Sequence, residues 1–466
     1  MKLKNTKNHI VSMMYALFLC LILGQQSSYC AVTNTSAEDN VYASQQDKER
    51  FEFKVLVDET GSNFGIDLSD QDLDELAESV GNFKISTLSF SKNRFNRDGA
   101  VEWYHNIRNV SKVFYNVITD HKRYNEHTAV RASINMAHQV VSWWISRTNY
   151  TLVHEVAHAQ AVKEFGGTEI QLWVGDEAYH SVGAFYLAFM STYNRGAVSY
   201  SIDRATPNQE AVISASGINS QISLAEDIAE ESIINRRFDQ SDALHYILNK
   251  VISTIYYQYD PNSNMSDLAH YAHALHQQGL IEEDEINSTK EFISNISFLA
   301  TLLSGRTWEA VNAFSDEIML NKHYTDTYTF ETPLGEITWP EFAAFLNEKG
   351  VSGKISVSLL TQSRMTYHFS FETSLLGESA NEVGLGFTYK ADDWQTSVKT
   401  YFNDQDGRGI SIKSKYDVGR ANGFSFFAEA KADNGTLNQR RHQYSLTGQE
   451  SNEFETSFSI GIEYRF

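Results

Sequence analysis

Tyr150-Thr-Leu-Val-His154-Glu155-Val-Ala-His158-Ala-Gln-Ala-Val-Lys-Glu-Phe-Gly166-Gly167 places two imidazoles and a carboxylate in a helix-forming stretch that stops at a glycine pair. His154 and His158 are four residues apart, so on a helix both rings leave one face and can meet one tetrahedral cation at about 2.1 Å. Glu155, rotated about 100° from His154, stands beside such a cation, where its carboxylate can serve a bound water. This is the H-E-x-x-H pattern in the helical context it needs. Short motifs also recur by chance, but Leu152, Val153, Val156, Ala157 and Ala159 make the rest of this helix apolar or small. Two His and a Glu in so apolar a helix cost roughly several kcal/mol unless a metal compensates.

On these residues the sequence resembles the zincin metallopeptidases. The Gly166-Gly167 ending followed by new chain resembles their gluzincin branch, and the metzincin continuation is absent, since Ala161 and Glu164 stand where its Gly and third His would be. The resemblance implies a zinc ion (Zn2+), ligands His154 and His158, Glu155 as general base, and hydrolysis of a peptide or protein substrate. It also implies a third protein ligand, leaving the fourth position to water. Ser223-Leu-Ala-Glu226-Asp-Ile-Ala-Glu230-Glu231 resembles the gluzincin helix that offers a ligand Glu and, one turn later, an acid orienting a ligand His. Glu226 would be the ligand and Glu230 the orienting acid, although the family usually has Asp there. A solvated acidic face is the competing reading. His180 competes as ligand, as does Asp267, which precedes His270, His273 and His276; that histidine trio reads as a solvated cluster. Tyr179, His180, His245 and Tyr246 are candidates for the donor that stabilises a tetrahedral oxyanion.

Toward the N-terminus, Lys2, Lys4 and Lys7 precede an apolar run from Ile10 to Leu23 and the small-residue pattern before Ala31. Residues 1–30 therefore read as a cleaved secretory signal peptide. As an anchor the run would be short of the roughly 20 residues that span a bilayer. Cleavage after Cys30 would remove both cysteines, leaving no disulfide or thiol chemistry. Residues 31–50 are polar and read as a leader. With a formal net charge of −21, the chain is not expected to bind nucleic acid. At 466 residues and 42% hydrophobic, it is expected to fold as two or three domains.

From 51 to 350 the reading is a mostly helical, zincin-like metallopeptidase domain with an α/β start. Phe51–Val57 and Phe83–Phe90 alternate as strands around a capped helix from Ser69, helices run from about Val101 to His276, and one more spans Lys290 to Phe314. From 351 to 466 the chain alternates with period two between Gly, Asn and Asp clusters. Eight strands are expected: Lys354–Leu360, Thr366–Leu375, Glu382–Tyr389, Gln395–Phe402, Gly409–Tyr416, Gly423–Ala430, Arg441–Leu446 and Phe454–Phe466. Tyr367, Phe369 and Phe371 oppose His368, Ser370 and Glu372, the dyad pattern of a transmembrane barrel.

The ending Ile460-Gly-Ile-Glu-Tyr-Arg-Phe466 resembles the last strand of bacterial outer-membrane β-barrels. The expected fold class is thus α+β, a helical domain followed by an antiparallel barrel of about eight strands. The barrel would contact outer-membrane lipid and hold the catalytic domain in the periplasm. The alternatives are a soluble β domain on a periplasmic or secreted protein, and a non-catalytic envelope assembly factor with a structural metal.

Overall fold

The computed structural model describes residues 31–34, 84–86, 100–101, 104, 128–179, 182–192, 196–259, 266–320, 324–391, 393–418, 423–437 and 455–465. Strands β1 (Ala31–Asn34) and β2 (Lys84–Ser86) precede helix α1 (Thr128–Glu164). Helix α1 closes on Gly166 at φ 81°, with Gly166 N–H donating to Lys163 O and Gly167 N–H to Val162 O. This is the Schellman ending that a glycine in the left-handed region permits.

The chain then forms β3 (Thr168–Val174), β4 (Glu177–Tyr179), α2 (Val182–Ser191) and β5 (Gly196–Ser201), with β1-β5-β3-β4 as one sheet and β1 parallel to β5. One expectation is corrected by this sheet. The stretch from 101 to 276 is not helical throughout, because Thr-Glu-Ile-Gln-Leu-Trp-Val alternates and forms a strand. The first residues of the polar leader form β1.

Helix α3 (Pro207–Asn235) packs against α1. It begins with a capping box in which Thr206 and Gln209 satisfy each other's backbone N–H, and ends at Arg236 in the left-handed conformation. Residues 211–225 are buried on every side. Ala211, Ala215, Ile218 and Ile222 form one stripe against a core with Leu268, Tyr271 and Phe345. Val212, Leu224, Ala225 and Ile228 form another, against Val153, Val156, Ala157 and Tyr246. Each large aliphatic buried this way contributes about 1.5–3 kcal/mol. Ser214, Ser216, Gly217 and Ser220 keep the helix thin enough for neighbours to approach.

Beyond α3 come β6 (Arg237–Asp239), α4 (Gln240–Lys250), α5 (Ile252–Tyr259), α6 (Asp267–Gln277), α7 (Ile286–Leu303) and α8 (Gly305–Leu320). The helical stretch read over Lys290–Phe314 is divided between α7 and α8. The break falls at Ser304-Gly305, where a Cβ on Gly305 would lie 2.6 Å from Trp339 Cβ. Strand β7 (Tyr324–Asp326) pairs with β6.

The rest is antiparallel: β8 (Thr329–Thr332), β9 (Gly335–Thr338), β10 (Glu341–Asn347), β11 (Gly350–Leu360), β12 (Met365–Gly377), β13 (Glu382–Lys390), β14 (Trp394–Asn403), β15 (Arg408–Val418), β16 (Gly423–Asn434) and β17 (Glu455–Arg465). The fold is therefore a mixed α+β one. The ladder runs β2-β17-β16-β15-β14-β13-β12-β11-β9-β8, with β10 also on β11. Among the described residues no hydrogen bonds join its two ends, so it is an open sheet and not the closed barrel expected. It also recruits β2, inside the strand read at Phe83–Phe90, and β8 to β10, all from outside 351–466, where the sequence pattern placed every strand of the barrel. The expected strand at Arg441–Leu446, the strand at Phe51–Val57 and the helix from Ser69 lie outside the described residues. No helix among those described is long and apolar enough to cross a membrane.

Candidate metal centre

Helix α1 carries His154, Glu155 and His158 on two successive turns, all buried. Helix α3 crosses them at Gly217. A Cβ there would lie 2.5 Å from His154 Cε1 and from His158 Nε2, closer than any real side chain stands, so only glycine lets the two helices meet.

The same helix fixes both imidazoles from behind. His154 Nδ1 is 2.9 Å from Gln221 Oε1, and the Gln221 amide is oriented by donating from Nε2 to Tyr150 O at 3.2 Å. His158 Nδ1 is 2.7 Å from the carbonyl of Ile213 and 3.0 Å from Ser216 Oγ, whose own proton goes to that carbonyl. Both Nδ1 atoms face acceptors and so carry hydrogen; in the neutral rings the two Nε2 atoms then present lone pairs.

Those lone pairs point at each other across 2.9 Å. The third corner is Asp267, the first residue of α6, set by Ser266 capping that helix through Ala269 N–H. Asp267 Oδ2 lies 2.8 Å from His154 Nε2 and 3.3 Å from His158 Nε2. A tetrahedron with bonds of 2.0–2.1 Å has edges of about 3.3 Å, so the three donors are spaced nearly as zinc requires. Asp267 Oδ1 is buried with no hydrogen-bond partner among the described residues. Two lone pairs and a carboxylate facing one point, with a buried carboxylate oxygen left over, fit a cation better than they fit each other. The residues present therefore suit a bound metal.

The local field agrees. Burial by itself would lower the His158 pKa, yet the Asp267 carboxylate, with a smaller share from Glu155, leaves it raised. Burial would likewise raise Asp267, yet the two histidines hold it well below the usual carboxylate range. An electronegative pocket that favours a proton on imidazole favours a metal cation in the proton's place. Glu155 sits on the next helical position. Gly196 of β5 lies beside it: a Cβ there would crowd Thr151 Cγ2 at 2.8 Å and Phe185 Cζ at 3.3 Å, and would reach Glu155 Oε1 at 3.4 Å, an ordinary contact.

The other residues singled out from sequence are placed as follows. Glu226 pairs with Lys354 at 2.9 Å and Glu230 with Lys399, both against the large sheet and not with the histidines. His245 packs edge-on to Tyr104 with ring centres 5.1 Å apart. Tyr246 donates to Glu341, and Tyr179 to Glu177. His180 lies outside the described residues. The third group that could hold a metal beside the two histidines is Asp267, one of the competitors weighed against Glu226, and His154, His158 and Asp267 form the one such cluster among the described residues.

Sequence reasoning missed Tyr256 of α5. Its ring stacks on His154 at 5.4 Å, and its hydroxyl is 3.0 Å from His154 Nε2. Nothing in Ile-Ser-Thr-Ile-Tyr-Tyr-Gln-Tyr signals that position. Compared with protein-family models, characterised proteins and solved structures, the chain has no significant match.

Proposed function

We propose that this chain is a zinc-dependent endopeptidase of the zincin kind, exported to the bacterial envelope and acting on proteins or peptides there. The observation that carries the reading is the convergence of His154 Nε2, His158 Nε2 and Asp267 Oδ2 beside Glu155. Zinc held by those three would polarise a substrate carbonyl and lower the pKa of a bound water. Glu155 takes the water's proton and passes it to the leaving amine. The Tyr256 hydroxyl, 3.0 Å from His154 Nε2, is placed to donate to the oxyanion that develops on the attacked carbonyl. Gln221 and the Ile213 carbonyl hold the imidazoles in the metal-binding tautomer throughout.

One observation favours a second reading. His154, Glu155, His158 and Asp267 are all buried, as in a site whose metal only supports the fold. That is the envelope assembly or binding factor with a structural metal.

Metal content and cleavage of casein or a peptide library, for wild type and Glu155→Gln, separate the two. The peptidase reading expects zinc near one per chain in both proteins and cleavage only in wild type. Zinc in both with cleavage by neither would support the structural reading, and absence of zinc would overturn both.

A further inference from the structure

Helix α3 runs lengthwise along the inner face of the large sheet. Near one end of the sheet Asn219 donates to Leu346 O of β10. Further along, Glu226 pairs with Lys354 of β11 and Glu230 with Lys399 of β14. At the opposite end Lys390 of β13 donates to Asn235, and Arg236 to the carbonyl of Thr361 just after β11. From Asn219 to Arg236 a helix rises about 26 Å, the height of a bilayer's hydrocarbon layer within a few ångström. Between these contacts the inner face is polar in its own right. Ser358, His368, Thr388 and Ser397 form a hydrogen-bonded row across β11 to β14, at 2.9, 3.3 and 2.9 Å.

The outer face is the reverse. Tyr367, Phe369 and Phe371 on β12 are 37%, 48% and 47% exposed. The register sets them directly beside Phe387, Leu385 and Val383 of β13, which are exposed as well. Exposed apolar residues continue through Phe402 of β14 and Ile410 and Ile412 of β15. A soluble sandwich or barrel keeps its apolar face inside and its polar face in water; here the charged face is inside, already matched to α3, and the apolar face is outside.

Three features select the occupant of that outer face. Strands β12 to β17 are 9 to 13 residues long, and a tilted strand needs about 9–11 to cross a bilayer. Tyr389, Trp394 and Tyr416 gather at one edge of the apolar band, where Trp394 pairs with Tyr416, as interfacial aromatics do. The band also continues around successive strands of a sheet wrapped on a helix, so no single flat protein partner covers it.

We infer that the outer face of β11 to β16 is a lipid-contacting wall whose polar inner face is plugged by α3. This rests on no part of the metal reading.

The test uses the full chain, purified in detergent and then diluted with liposomes of phosphatidylethanolamine and phosphatidylglycerol. Wild type is expected to float with the liposomes and to stay after a carbonate wash. The double variant Leu385→Lys/Phe387→Lys is expected to lose at least about tenfold in the floated fraction, since a cation on the lipid face costs about 2–4 kcal/mol at mid-depth. Val140→Lys, on the exposed face of α1, is expected to float as wild type does. Circular dichroism in detergent confirms that the double variant is folded. Wild type left at the bottom of the gradient as a monomer overturns the inference. So does a detergent-free dimer broken by the double variant, which would make this face a contact between two copies of the chain.

Discussion

Gly217 of α3 faces the His158 ring so closely that a Cβ there would lie 2.5 Å from Nε2. Gly217→Ala should therefore push the two imidazoles out of register. The extra methyl gains about 0.5–1 kcal/mol of helix propensity but adds about 1–3 kcal/mol of overpacking. The expected result is a modest drop in melting temperature and a loss of zinc affinity of about tenfold or more, read by competition with a chromophoric chelator. Unchanged affinity would mean that α3 is free to shift away from the site.

Asp267 and Glu226 are rival third ligands, and their substitution separates them. Asp267→Asn removes the charge that faces both Nε2 atoms, while Glu226→Gln breaks only a partly buried pair with Lys354 on the far side of α3 from the histidines' ligand atoms. Zinc retention after dialysis should fall sharply in Asp267→Asn and match wild type in Glu226→Gln. Loss of zinc in the second variant would place a ligand on the sheet side of α3 instead.

Gln221→Leu tests the tautomer argument. Its Oε1 is the acceptor on His154 Nδ1, and outer partners of this kind are worth about 10- to 100-fold in metal affinity. A weakening in that range with near-native stability is expected. A variant that unfolds would be replaced by Gln221→Glu, which keeps an acceptor and should restore binding.

The pairing of α3 to the sheet sets an acid limit. Burial would raise the Glu230 pKa, but the Lys399 ammonium and its neighbours bring it down to about 2 from 4.5. A folded-state pKa below the unfolded one contributes stability that is complete above pH 4.5 and is lost as pH falls toward 2. Wild type should therefore lose melting temperature between about pH 4.5 and 2 in detergent. Lys399→Met removes the ammonium, so its deficit relative to wild type should be largest near neutrality and shrink on acidification. A deficit independent of pH would assign the loss to packing alone.

Much of this was legible in the sequence, and the remainder has identifiable causes. The ligand pair on α1 shows because both residues lie on one helix, four apart. Asp267 is 109 residues from His158, and no local spacing relates them, so it could be named only as one competitor among several. Glu226 and Glu230 shared a helical face, as the sequence implied, but what that face meets is Lys354 and Lys399, on strands more than a hundred residues away. Strands β12 to β16 could be read from period two, because β13 alternates strictly and the others do so over most of their length. Whether their sheet closes depends on pairings between distant segments, which alternation does not encode.

Complete burial of the cluster makes a kinetic prediction. Tyr256 stacks on His154, and its hydroxyl reaches the same Nε2 that faces Asp267, so a chelator cannot touch the metal until α5 moves aside. Zinc loss to excess EDTA should then be limited by local opening, with a rate that stops rising as chelator concentration increases. Tyr256→Ala removes the covering ring and should raise that plateau rate about tenfold or more. Tyr256→Phe keeps the ring and should leave the plateau rate near wild type while lowering peptide hydrolysis, if the hydroxyl stabilises the oxyanion. A rate that climbs linearly with EDTA in wild type would show that the site is open to solvent by another path, and the covering role of α5 would be withdrawn.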